Sequence, residues 1–103
     1  MLIECVDEEL EALILHNYTG KYKSYKSNAT LIRDLDKVIR LLSKAKDIKE
    51  VSNLGKLAYE RLQNSPYSSV RVGYRTKYRL EFEEHENKIT LVLIKLSEHY
   101  GEH

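Results

Sequence analysis

Apolar and polar positions alternate between residues 67 and 82. Val70, Val72 and Tyr74 alternate with Ser69, Arg71 and Gly73, and Tyr78, Leu80 and Phe82 alternate with Lys77, Arg79 and Glu81. A period of two places one apolar and one polar face on each of two short strands. Residues 73–76 supply the reversal between them, without the Asn-Gly pair that would fix a two-residue turn. Pairing around that reversal sets Arg71 roughly opposite Arg79 on the polar face. Like charges facing across a ladder cost stability. That face is therefore either a site for an anion or, as lysine and arginine commonly are on exposed strands, a solvated surface.

Elsewhere the period changes. Residues 1–6 form a short apolar run broken by Glu4, a first strand. Asp7 caps a helix, with Glu8 and Glu9 in a first turn where the helix dipole favours acids. Leu10, Leu13 and Ile14 then fall at helical spacing, and Gly20 is the expected stop. The longest helix begins at Asn28 or Thr30. Its stripe is Leu31, Leu35, Val38, Ile39, Leu42 and Ala45, with Arg33, Asp34, Lys37, Arg40 and Lys44 mostly outside it. Asp47 and Glu50 have the spacing of a capping box for a short helix seated by Val51 and Leu54 and ended by Gly55. Residues 56–66 read as a connector and 83–87 as an acidic turn. The nearly unbroken apolar run at 89–96 reads as a strand covered on both faces, central in its sheet. The order is an N-terminal strand, two or three helices, then a three-stranded antiparallel sheet, an α+β fold.

With 103 residues, 42% of them hydrophobic and 32% charged, the chain fits one compact domain (residues 1–103) and not a disordered segment. Its single cysteine, Cys5, excludes an internal disulfide and suits a reducing compartment. No apolar stretch approaches the ~20 residues of a membrane helix, and residues 1–20 lack a signal-peptide pattern. A cytoplasmic protein without a membrane partner is the expectation. Net charge is only +1, but its distribution is uneven. Residues 1–17 carry five acids and no lysine or arginine, whereas residues 18–46 carry eight bases against two acids and residues 67–80 four bases and no acid. Local patches of this kind, more than totals, steer a polyanion. Residues 21–26 interleave Lys21, Lys23 and Lys26 with Tyr22 and Tyr25. They suit either contacts to nucleic acid or a linker whose tyrosines tuck against the helices.

Neither a metal motif nor a cofactor motif stands out, and none is expected. His99 and His103 are four apart but follow a strand beside Gly101. There is no glycine-rich phosphate loop and no serine nucleophile elbow. A metal-independent ribonuclease needs less. RNA brings its own 2′-OH, so the protein must remove that proton, stabilise the phosphorane-like transition state and protonate the leaving 5′ oxygen. A histidine or tyrosine with two or three cations held by a sheet meets those needs. Arg71 and Arg79, with His99 and Tyr100 beyond the last strand, are such a set.

Ser69-Val70-Arg71, then Tyr78-Arg79-Leu80-Glu81-Phe82, then an apolar strand and a closing His99-Tyr100 resemble the RelE/ParE toxin superfamily, closest to its HigB-type host-inhibition branch. The resemblance implies a toxin of a type II toxin-antitoxin system. Its activity would be ribosome-dependent cleavage of mRNA, which inhibits translation and arrests growth. Its partners would be a cognate antitoxin, the ribosome and mRNA. It implies that Arg71 and Arg79 stabilise the transition state and that His99 or Tyr100 transfers a proton. Where such toxins often carry a lysine after a leucine, this chain has Gln63 after Leu62. Arg61 or Lys77 is the substitute, and Arg75, Lys23 and Lys26 complete the expected RNA contacts. The ParE branch implies a different end, the poisoning of DNA gyrase. A decayed toxin would keep only the antitoxin surface.

Overall fold

Asp7 turns the first strand into the first helix by accepting the Leu10 N–H at 2.9 Å, so that β1 (Leu2–Cys5) leads directly into α1 (Glu8–Ile14). The computed structural model describes residues 1–73 and 77–96, the last by its backbone alone. Helix α1 ends earlier than Gly20 suggested. His16 takes a positive φ of 64°, and the N–H groups of His16 and Asn17 turn back to Leu13 O (3.0 Å) and Ala12 O (2.7 Å). This left-handed closure satisfies the last carbonyls of the helix. Gly20 has another task. At φ 59° it opens a 3-10 helix, Gly20–Ser27, and a Cβ there would collide with the Glu9 carboxylate. That carboxylate accepts the Lys21 N–H at 2.7 Å, which ties the 3-10 helix to α1.

The 3-10 helix settles one of the open readings of the Lys/Tyr segment. Tyr22 is buried, and its hydroxyl accepts the Ile94 N–H at 3.2 Å. Tyr25 meets the rings of Tyr22 and Tyr78 at 5.4 and 5.6 Å, while Lys23 and Lys26 stay exposed. The tyrosines tuck inward, against the sheet as well as the helices.

Helix α2 (Ala29–Lys44) starts where Asn28 accepts the Leu31 N–H at 3.0 Å. It buries Leu31, Ile32, Leu35, Val38 and Leu42, and Ala45 continues the stripe just past its end. Helix α3 (Ile48–Asn53) is capped by Asp47, which accepts the Glu50 N–H at 3.0 Å. Glu50 reaches back to the N–H of Lys46, not to that of Asp47 as a capping box requires. The connector then forms a 3-10 turn (Gly55–Leu57) and a strand of two residues, β2 (Glu60–Arg61).

Strands β3 (Tyr67–Arg71), β4 (Tyr78–His85) and β5 (Lys88–Leu96) complete a five-stranded mixed sheet ordered β1-β5-β4-β3-β2. The fold is α+β as expected, but the sheet is larger than three antiparallel strands. β1 joins it parallel to β5, pairing Ile3 with Ile89 and Cys5 with Leu91, and β2 adds a short antiparallel edge. The expected acidic turn is mostly strand. Glu83, Glu84 and His85 continue β4, and only Glu86 and Asn87, the latter at φ 60°, make the turn.

β5 lies between β1 and β4, and β4 is the central strand. A bulge lets Glu81 face Leu93 while Phe82 faces Leu91. The extra residue moves the buried positions of β5 from a spacing of two (Ile89, Leu91) to a spacing of three (Ile94). Val92 and Leu93 are only half-buried, so this run is not covered equally on both faces. Val70, Val72, Leu80 and Phe82 meet the buried side chains of α1 and α2 in one core.

Candidate functional site

The register of the hairpin delivers the arginine pair. Arg71 is the Cα partner of Arg79, and Arg79 is in turn the partner of Lys95 on β5. Three cations thus lie in one row across β3, β4 and β5. Such a row is unfavourable by itself, and acids from neighbouring positions relieve two of its members. Glu81 Oε2 lies 2.7 Å from Lys95 Nζ, and Glu60 Oε2 lies 3.8 Å from Arg79 Nη2. Arg71, half-buried, has no such acid among the described residues.

Arg79 is 2% exposed and held from several sides. Its Nη2 donates to Ala58 O at 2.7 Å and to Ser69 Oγ at 2.8 Å, and its Nε donates to Ser69 Oγ at 3.2 Å. A guanidinium taken out of water requires hydrogen-bond partners of this kind. Arg79 therefore joins β3, β4 and the segment that leads into β2. The polar strand face is neither simply solvated nor simply open to an anion: Ser69, Arg79 and Glu81 are buried.

Arg71 looks onto a different environment. β2 pairs only with Ser68 and Ser69, so the side of β3 at Arg71 lies beyond its reach. There a groove of about 250 Å³ opens between β3, α2 and the Gly55–Leu57 turn. Val38, Leu41 and Leu57 supply its apolar floor, and Lys37, Lys56 and Arg71 its cations, against one acid, Asp34. Lys37 and Lys56 are not among the site residues that the sequence singles out. Lys37 is visible there as an outward position of a helix, but nothing in the sequence places Lys56 beside it.

Arg61 is not brought to this groove. Alternation along β2 sends it to the opposite side from Glu60, where Nη1 lies 3.3 Å from Ser68 Oγ and 3.5 Å from Glu84 Oε2. Tyr59 and Ser68 both donate to Glu84 Oε2. Burial pushes the Glu84 carboxyl up, but the hydrogen bonds from Ser68 and Tyr59, with the Arg61 charge, outweigh it and leave its pKa below the ordinary value. Burial and the neighbouring Glu84 carboxylate raise the Tyr59 phenol. This cluster fastens β2, β3 and β4 together.

No family model, curated protein or solved structure matches the chain.

Lys77 is exposed just before β4. Arg75, His99 and Tyr100 lie outside the described residues. Among the described residues, no histidine or tyrosine lines the groove. His16 pairs instead with Asp36 at 3.0 Å, and His85 with Glu83 at 3.2 Å. Among the described residues, no cluster of three His, Cys, Asp or Glu side chains is placed to hold a metal ion, and no helix is long and apolar enough to cross a membrane.

Proposed function

We propose that the protein is a RelE/HigB-like toxin, a cytoplasmic, ribosome-dependent endoribonuclease that cleaves translated mRNA and is held inactive by a cognate antitoxin. The observation that carries this reading is the cross-strand partnership of Arg71 and Arg79, with Arg71, which has no ion-paired acid among the described residues, lining a groove where cations outnumber acids. Arg71 would meet the scissile phosphate and stabilise charge on its transition state. Arg79, committed to Ser69 and Ala58, would hold the strands that present Arg71 and add positive potential beneath it. Proton transfer would fall to His99 or Tyr100.

Inducible expression in a bacterium, with pulse labelling of new protein and primer extension on abundant mRNAs, tests this. The expected result is rapid loss of translation with discrete cuts inside reading frames. Arg71→Ala should remove both while the protein remains folded. Arrest that persists in the folded Arg71→Ala variant would overturn the assignment.

The burial of Arg79 favours a second reading, a decayed toxin that keeps the fold and an antitoxin-binding surface. A buried arginine hydrogen-bonded through Nε and Nη2 to Ser69 and Ala58 is what a structural role requires. That reading expects harmless expression of folded protein. Arrested growth with intact translation would instead point to the gyrase-poisoning branch.

A further inference from the structure

Arg33, Lys37, Arg40 and Lys44 follow one another along α2 at steps of four, three and four residues. These steps keep all four on one helical face and spread them over ~16 Å. All four are exposed, and no acid lies within ion-pair distance of any of them among the described residues. Of the nearby acids, Asp36 pairs with His16, and Asp34 lines the groove as one acid against three cations. Lys37 belongs both to this ridge and to the groove, where Lys56 and Arg71 continue it toward β3. Five exposed cations and one half-buried arginine thus form a continuous track from the outer face of α2 to the end of the Arg71–Arg79–Lys95 row.

We propose that this track binds the sugar-phosphate backbone of single-stranded RNA, with Lys37 and Lys56 contacting phosphates next to the one at Arg71. The proposal rests on the ribonuclease reading for the choice of RNA and extends it to the path of the strand. A line of point charges in which cations outnumber acids, and none is ion-paired among the described residues, suits a chain of regularly spaced anions. A lipid surface is held firmly when apolar side chains insert beside the cations and add to the attraction for anionic headgroups. The exposed large apolar residues, Leu2, Val6 and Leu15, instead lie in or just after β1 and α1. No aromatic ring lines the groove among the described residues, so backbone contact, not base stacking, is the expected mode, with little sequence preference.

The test measures anisotropy of a fluorescein-labelled oligouridylate with the full-length protein across a salt series. A labelled polyglutamate peptide is the comparison probe. The wild-type slope of log affinity against log salt should be roughly −2, that of about three neutralised phosphates on a single strand. Lys37→Ser and Lys56→Ser should each weaken binding about threefold to tenfold and flatten the slope by roughly 0.7. Lys88→Ser, at the end of β5 remote from Lys95 and paired with Glu4, should change neither. Circular dichroism confirms that these substitutions leave the fold intact. Unchanged oligouridylate binding in Lys37→Ser and Lys56→Ser would overturn the proposal. So would polyglutamate binding as tight and as dependent on these lysines, which would assign the track to an acidic protein. Primer extension on the same variants separates the two levels. Undiminished mRNA cutting by a folded Lys37→Ser, Lys56→Ser double variant would overturn the track while leaving the ribonuclease reading in place. Lysine-dependent RNA binding without cutting by the wild type would support the track and defeat the ribonuclease reading.

Discussion

Arg79 and Glu84 are both charged side chains drawn into the sheet, and each is stabilised by its partners more than by its own propensity. Removing the Arg79 guanidinium takes its donors from Ala58 O and Ser69 Oγ and its charge from beside Glu60. Arg79→Ala should therefore lower unfolding stability by about 3 kcal/mol, the scale for breaking a buried charge network. Arg79→Lys should recover only part, because an ammonium cannot reproduce the planar fork that reaches both acceptors. Urea denaturation of the two variants checks this, and any loss of toxicity in Arg79→Ala must be read against it. Glu84 provides a pH signature. Its pKa lies below the ordinary 4.5 in the folded protein. Its contribution is therefore present above the unfolded pKa and disappears as pH falls through the lower folded value. Glu84→Gln should cost about 1.5 kcal/mol or more near neutrality. Its stability curve should converge with that of the wild type on acidification below the ordinary glutamate pKa. Parallel curves that never converge would mean that the ionised carboxylate is not what stabilises the cluster.

Elements were legible where one periodicity ruled and obscure where tertiary contacts did. The α2 stripe, the Asp7 and Asp47 caps and the alternating hairpin follow from local spacing and capping chemistry. β2 was not legible, since two residues, Glu60 and Arg61, carry no period at all; they are strand because Ser68 and Ser69 lie beside them. The bulge in β5 was hidden for the same reason: an unbroken apolar run does not reveal where one residue is skipped. The partner of β1 was equally hidden. β1 covers one side of β5 along Ile3–Ile89 and Cys5–Leu91. Deleting residues 1–6 should bare that edge and its apolar pairs, giving concentration-dependent association. Size-exclusion chromatography with light scattering would detect it, and a stable monomer at high concentration would contradict it.

On the scale of the whole molecule, a net charge of +1 conceals a division of labour. Acids of the first strand and helix are partly neutralised locally, Glu4 by Lys88 at 3.2 Å and Asp7 by Lys21 at 2.8 Å. The cations of α2 and the groove are not matched in this way among the described residues. A small net charge therefore need not mean weak attraction for a polyanion, because local potential decides encounter. The amino-acid sequence by itself determined the α+β class, the positions of the long helix and the hairpin, and the opposition of Arg71 and Arg79. These depend on periodicities and turns that act over a few residues. Tertiary structure alone decided that Arg79 is buried and partnered, that Arg61 faces away, and that Lys37 and Lys56 meet Arg71. Each of those facts depends on which distant backbone segment lies alongside, and no local pattern encodes a neighbour that is remote in the chain.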